Sequence, residues 1–373
     1  MSTLGNNELV MAAKSGYANI VQYLHEVRKR SFMKNDVEKQ EGRLNSVDSI
    51  RSIRDVLDGR DLVADIVEMA QERELDMSSA RASKGNAAGV PVKLDRNRAK
   101  GMLWGLIVGD AFGSPVQFCE KDDHPWITEM VACPTFGLPP GCWTDDGSMA
   151  MCIMDSYVRM GGYDLRDIGK TFVKWLDDGY LSSMEGRSFD VGGATMTSVS
   201  EIAYMGRLSN GYEESQGNGS IMRFAPSYLL SLKEQNPVKV MHEINDLTHY
   251  SRRVREVIDR MAGILDDHMA GSRTSEVSPY ETREEVNNSG WAVSTLDAAL
   301  WAFNTTGSFE EGLIAAVNLG GDADTIGAVF GQIAGAYYGY DAIPVRWVKA
   351  VKTWEKVDSL IERFLDAVLG QKQ

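Results

Sequence analysis

Two stretches, Trp143-Thr144-Asp145-Asp146-Gly147-Ser148 and Gly320-Gly321-Asp322-Ala323-Asp324-Thr325-Ile326-Gly327, decide the reading of this chain. Each sets two carboxylates and a threonine hydroxyl just before an apolar run with helical spacing. Asp and Thr at a helix start are ordinary caps, and acidic residues there suit the helix dipole. The repetition of the chemistry, and the glycines crowding the second copy, point further, to close backbone approach and bound positive charge. Four carboxylates carry about the charge that two divalent cations cancel. Oxygen donors without a neighbouring His or Cys favour Mg²⁺, Mn²⁺ or Ca²⁺ over zinc. Paired cations of this kind usually serve hydrolysis.

Outward from these stretches the pattern is helical almost throughout. Apolar spacing predicts helices over 98–114, 147–160, 164–178, 194–206, 221–232, 237–247, 250–270, 291–303, 309–318, 325–339 and 355–368, with little strand-like alternation. Along 325–339, Gly327, Gly331, Gly335 and Gly339 recur every fourth residue on one face. Such a stripe lets a neighbouring helix approach closely, which in this chain reads as core packing.

Residues 1–93 have another character. Leu9, Ala12, Ala13, Ile20, Val21, Leu24 and Val27 fall at helix spacing, as do Ile50, Ile53, Val56 and Leu57 further on. Residues 31–46 read as loop, and 76–93 have linker composition. Glu8 to Glu26 resembles a single ankyrin repeat without a second copy, too little for a solenoid. The expected organisation is a helical extension with linker over 1–93 and a catalytic body over 94–373.

With 373 residues and 43% hydrophobic content the chain can bury a sizeable core. A net charge of −14 argues against a nucleic-acid or anionic-membrane surface. Cys119, Cys133, Cys142 and Cys152 lack C-x-x-C spacing, so reduced thiols are expected. The N-terminus lacks a basic and an apolar signal region and no segment is long and apolar enough to span a membrane, so a cytoplasmic location is expected.

Three further stretches complete a pattern. They are Gly105-Leu106-Ile107-Val108-Gly109-Asp110-Ala111-Phe112-Gly113, Gly217-Asn218-Gly219-Ser220-Ile221-Met222-Arg223, and Ser289-Gly290-Trp291 with Thr295 through Trp301. With the two acidic stretches, in order and spacing over roughly 98 to 370, they resemble the ADP-ribosylglycohydrolase family, which includes the dinitrogenase reductase-activating glycohydrolases. The resemblance implies an all-α orthogonal helical bundle with metals in a central cleft. It implies removal of ADP-ribose from modified protein side chains, through a transition state of oxocarbenium character. It carries Thr144, Asp145, Asp146, Asp322, Asp324 and Thr325 over as ligands of two divalent cations, Mg²⁺ or Mn²⁺.

Asp145 or Asp324 could act as general base; a third candidate is Asp190, in Phe189-Asp190-Val191-Gly192-Gly193, which resembles a catalytic segment of some members but also reads as a turn aspartate. Several members have a glutamate tied to serine-directed cleavage where this chain has Gln117, so the expectation turns to modified arginine. Gln117 can still hydrogen-bond a water or a ribose hydroxyl. Gly217, Asn218, Gly219 and Ser220 read either as a plain turn or as the opening of a helix that cradles the pyrophosphate. Arg223 reads as a phosphate donor or a buried partner, His249 as a pyrophosphate neighbour or a structural histidine, and Trp291 as a stacking platform or a core residue. Asp110 is expected to support a ligand or cap a helix. Some bacterial members of similar layout are immunity proteins, so 1–93 are a candidate segment for blocking an ADP-ribosyltransferase toxin. The alternatives are an interaction protein with a weakly active body, and an inactive relative, against which the intact ligand stretches argue.

Overall fold

The computed structural model describes residues 94–370; the extension and linker expected over 1–93, with the ankyrin-like stretch, lie outside the described residues. The helices are α1 (Arg96–Gly113), α2 (Asp145–Met160), α3 (Leu165–Asp178), α4 (Gly193–Met205), α5 (Phe224–Ser231) and α6 (Pro237–Asp246). They continue with α7 (Arg252–Met269), α8 (Ala292–Thr305), α9 (Phe309–Val317), α10 (Ala323–Tyr338), α11 (Val345–Ala350) and α12 (Trp354–Leu369). Among the described residues the only β pairings are two isolated bridges, Cys133 with Leu138 and Gly217 with Trp291. The fold is an all-α orthogonal helical bundle.

Its axis is the antiparallel pair α1 and α10. The glycine stripe of α10 meets a matching stripe on α1: Gly101 faces Gly335, Gly105 faces Gly331, and Gly109 faces Gly327. A Cβ on Gly327 would lie 2.6 Å from the Gly109 carbonyl oxygen, and one on Gly105 or Gly331 would lie inside the other's carbonyl. Fourteen residues of each helix are buried, so neither shows the one-sided polarity of a surface helix. Helices α8, α9 and α7 pack on α10, while α2 and α12 pack on α1. Because the pair is antiparallel, the C-terminal end of α1 meets the N-terminal end of α10. There the crossing closes on the residues that carry the chemistry: a Cβ on Gly113 would lie 2.5 Å from Asp324 Cα.

The continuous helix expected over 221–232 is divided. Ile221–Arg223 form a 3₁₀ turn, and α5 begins only at Phe224. The cause is Pro226, which in an unbroken helix would remove a hydrogen bond and clash with the carbonyl four residues back. In the first turn of α5 that penalty disappears. Gln332, fully buried on α10, satisfies the exposed backbone: its Nε2 donates to Ile221 O (3.1 Å) and Met222 O (2.9 Å), and its Oε1 accepts from Ala225 N (2.7 Å). Helix α11 was not foreseen because its six residues after Pro344 are too few for a periodic signal.

The crossing makes a direct prediction. Gly105→Ala or Gly331→Ala places a methyl group against backbone that cannot move aside, and is expected to cost about 3 kcal/mol of stability. Gly263→Ala, on α7 with no atom within 4 Å of the new Cβ, is the control and should not destabilise. Denaturant melts of the three variants check this.

Candidate active site

The acidic stretches do not cap their helices. Thr144 and Asp322 occupy the N-cap positions of α2 and α10, yet neither side chain makes a capping bond. The Thr144 hydroxyl instead faces Asp110 Oδ1 (2.9 Å), Asp146 Oδ2 (3.0 Å) and Asp324 Oδ2 (3.3 Å). The amides of α2's first turn are served from α1, where Asp110 accepts from Thr144 N (2.8 Å) and Gly147 N (2.8 Å). Asp110 thus does what the two sequence alternatives named separately: it caps a helix and holds Thr144. Oxygens of Asp110, Asp146 and Asp324 lie within 4.8 Å of one another, all three residues buried. Asp110's oxygens are occupied by donors, whereas Asp146 Oδ1 is buried without any partner. An orphaned carboxylate oxygen in a hard-oxygen cluster fits a divalent cation, and Asp146 rather than Asp110 offers the open donor.

Asp322 arrives on two glycines in left-handed conformation, Gly320 (φ 66°) and Gly321 (φ 61°), where side chains would strike the Cys119 and Asn288 backbone. Its Oδ2 accepts from Asn218 Nδ2, and its side chain also bonds to Thr325. The turn is laced to the segment after α1: Phe118 N donates to Gly321 O (2.7 Å), and Gly321 N to Cys119 O (2.8 Å). Phe118, itself at φ 63° and mostly exposed, has no sequence signal that announces it.

Burial pushes the carboxyls up. Asp145, Asp146 and Asp324 rise well above the usual aspartate range, first through burial and then through the neighbouring carboxylates. Asp110 is pushed up to about 7 and Asp322 to about 6, both mainly by burial. Arg223 is a buried cation whose charge is felt by Asp145 and Asp146, and its own pKa is lowered to about 10 by burial.

Arg223 lies behind the glycine-rich loop. Its Nη1 donates to Gly219 O, its Nη2 to Thr248 Oγ1 (2.7 Å), and the guanidinium lies over Phe172. Of its two sequence readings, this geometry matches the buried partner. Thr248 Oγ1 accepts from Arg223 and lies 2.7 Å from His249 Nδ1, an arrangement that suits a hydroxyl donating to Nδ1 with the ring proton on Nε2. Burial holds His249 neutral, with its pKa lowered to about 3. The ring packs under the loop so closely that a Cβ on Gly219 would lie 2.8 Å from Nε2. The loop enters the 3₁₀ turn rather than an α-helix, and Asn218 N is already bonded to Gly290 O (3.1 Å), which leaves fewer free amides than a helix opening would. Ser220 Oγ is buried without a partner. Trp291, bridged to Gly217, is 53% exposed, which removes the core reading. A cavity of about 370 Å³ opens beside it, lined by Gln216, Arg253, Asn287 and Ser294.

The profile of the family described as ADP-ribosylglycohydrolase matches residues 91–266 and 251–373. The chain belongs to the ADP-ribosylglycohydrolase family. It is 32% identical over 296 residues to the ADP-ribosylarginine hydrolase Tri1 of Serratia proteamaculans (strain 568), covering 74% of this chain and 80% of that protein. It is 29% identical over 292 residues to the ADP-ribosyl-[dinitrogen reductase] glycohydrolase of Rhodospirillum rubrum, covering 74% and 96%. A solved structure, described as an ADP-ribosylglycohydrolase-related protein complex, superposes with a TM-score of 0.64 at 34% identity, covering 74% of this chain and 99% of that one.

In this ADP-ribosylglycohydrolase the remaining wall of the site is formed by Asp190 and Gln117. Asp190, at φ 57°, is bonded through Oδ2 to Gln117 Nε2 (2.7 Å) and through its side chain to Asp324. Left-handed backbone in a non-glycine residue costs energy and gathers at functional sites. Gln117 and Asp190 stand 73 residues apart, and nothing in the sequence paired them.

The raised carboxyls predict a pH effect with a defined sign. An aspartate whose folded pKa is above its unfolded value binds more protons folded than unfolded, so stability falls as pH rises through that window. Here the window runs from 3.8 in the unfolded chain to about 6 and about 7 for Asp322 and Asp110. Protein in EDTA should therefore lose melting temperature as pH rises from about 5 to 8. Added Mg²⁺ or Mn²⁺ should restore it, with the gap between the two melts widening as pH rises. A gap independent of pH would overturn this account.

Proposed function

We propose that the protein is a divalent-metal-dependent hydrolase that removes ADP-ribose from modified arginine side chains. The observation that carries the reading is the buried cluster of aspartates around the Thr144 hydroxyl, with an orphaned oxygen on Asp146. The arginine part is supported by relatives in Serratia proteamaculans and Pseudomonas putida, each named an ADP-ribosylarginine hydrolase and each 32% identical.

Thr144, Asp145, Asp146, Asp322, Asp324 and Thr325 would hold two cations, Mg²⁺ or Mn²⁺. When bound, cations there would supply Lewis-acid chemistry that helps hold the ribose and lowers the pKa of a water. Asp110 fixes Thr144, and Asn218 fixes Asp322. The His249 Nε2–H and the loop Gly217–Ser220 hold the pyrophosphate, Arg223 braces that loop from behind, and Trp291 offers a face for stacking. Asp190, its carboxyl pKa pushed up by burial, takes the proton of the attacking water and returns it to the departing nitrogen. The bond from C1 of ribose to the guanidine nitrogen breaks as the bond from C1 to the water oxygen forms, and the released nitrogen takes up a proton.

Release of ADP-ribose from an arginine-modified protein tests this. EDTA should abolish it, and Mg²⁺ or Mn²⁺ should restore it. Asp324→Ala should lose both activity and the metal-dependent rise in melting temperature. Asp190→Asn should lose at least about a hundredfold in kcat while keeping that rise. Activity retained in Asp190→Asn would move the base to Asp145 or Asp324.

The segment 1–93 precedes nearly all of the family match, which begins at residue 91. We assign this segment to a protein partner, an ADP-ribosylating toxin whose active site it blocks in the cytoplasm while the body erases the modification. Occlusion is stoichiometric and metal-free, whereas erasure is catalytic. Abundant Asp324→Ala protein should therefore still protect cells against the toxin, and deletion of 1–93 should leave hydrolysis intact. Loss of protection in Asp324→Ala, with the toxin still active, would sink the blocking role.

A further inference from the structure

Residues 288–295 are stitched to both halves of the site. Asn288 O accepts from Asp322 N (2.9 Å) in the acidic turn, and Gly290 O accepts from Asn218 N (3.1 Å) in the glycine-rich loop. The two halves close on Gly290, where a Cβ would lie 3.2 Å from Asp322 Oδ2. Their side chains meet as well. Asn218 Nδ2 donates to Asp322 Oδ2 and to Thr295 Oγ1 (3.0 Å), one hydrogen for each partner. Thr295 is fully buried near the start of α8, and its hydroxyl is directed at Ser289 O (3.3 Å). A helical threonine ordinarily bonds the carbonyl four residues back. This hydroxyl instead joins the Asn218 amide to the backbone that carries both halves of the site.

We propose that Thr295 is a positioning residue for the cation centre: by accepting from Asn218 Nδ2, its hydroxyl sets the amide that holds the Asp322 carboxylate. The inference rests on the metal-dependent reading above and deepens it. An asparagine amide has a donor end and an acceptor end. Turned the other way, Asn218 would set its carbonyl oxygen against the Asp322 carboxylate, and two acceptors would face each other. Thr295 Oγ1 takes one amide hydrogen and so favours the orientation that aims the other at Asp322. That orientation matters because Asp322 stands on two left-handed glycines at the N-cap of α10 and makes no capping bond. Its carboxylate is held by Asn218 and Thr325 instead. Groups just outside a metal's ligands orient those ligands, and losing one typically costs about tenfold or more in metal affinity. Thr295 acts in the same way from one hydrogen bond further out.

The test is a calorimetric titration of the full-length, EDTA-stripped protein with Mn²⁺. Thr295→Val keeps the shape of the side chain and removes the hydroxyl, and should weaken Mn²⁺ binding about tenfold. Thr295→Ser keeps the hydroxyl and should stay within about twofold of wild type, since the outer partner is retained. Thr295→Ala repeats the loss of the hydroxyl with less bulk. A hydroxyl that only packed the core would lower the melting temperature of the metal-free protein and leave Mn²⁺ affinity unchanged. Asn218→Ala should weaken binding at least as much as Thr295→Val. Adding Thr295→Val to Asn218→Ala should cost less than about twofold more, because two residues acting through one contact are not additive. Unchanged affinity in both the Val and Ala variants, a Ser variant as weak as the Val variant, or full additivity with Asn218→Ala overturns the proposal and leaves the metal-dependent reading intact. Wild-type protein that binds no Mn²⁺ overturns that reading and this inference with it.

Discussion

Everything in the described body depends on two helix backbones touching. Gly101, Gly105 and Gly109 on α1 lie against Gly335, Gly331 and Gly327 on α10, with no room for a methyl group between them. This contact carries little hydrophobic energy of its own, since glycine has no side chain to bury. Its effect is geometric. It sets the distance between two helices that are otherwise sheathed in apolar side chains, and so it sets the distance between Asp110 near the C-terminal end of α1 and Asp324 at the N-terminal end of α10. Both residues reach the same hydroxyl, that of Thr144, and a crossing one side chain wider would part them.

The cluster that results runs against ordinary protein electrostatics. Aspartates whose pKa values are raised chiefly by burial have gathered where charge is least welcome, and the folded chain answers only in part. The amides of Thr144 and Gly147 neutralise Asp110, Asn218 serves Asp322, and Gln117 serves Asp190. Arg223 contributes charge from a distance, but its Nη1 and Nη2 donate to Gly219 and Thr248 rather than to the carboxylates. The balance left over is positive charge still to be supplied, and it centres on the side chains with open oxygens. On the other wall a glycine loop packs on the ring of His249, held neutral by burial, and Gly217 of that loop pairs with the exposed Trp291.

Much of this was legible in the sequence because its signals are local. Helix positions follow from apolar spacing within a few turns. The stripe Gly327 to Gly339 announced a close neighbour, and the stretches Thr144-Asp145-Asp146 and Asp322-Ala323-Asp324-Thr325 announced an oxygen-rich centre. The division of the expected helix at 221–232 was locally encoded too, in Pro226, yet what makes the break tolerable is Gln332, more than a hundred residues away.

The sequence by itself determined the helices, the glycine stripe and the chemical class of the acidic stretches, because each is set by neighbours within a turn or two. Tertiary structure alone decided which residues meet. It turned Thr144 from a helix cap into the hydroxyl shared by Asp110, 34 residues before it, and Asp324, 180 residues after it. It placed Arg223 behind the loop and brought Trp291 to the surface. It joined Gln117 to Asp190 and left one oxygen without a donor. A residue type limits the bonds a side chain can make; only the packed backbone decides which partners come within three ångströms, and which do not.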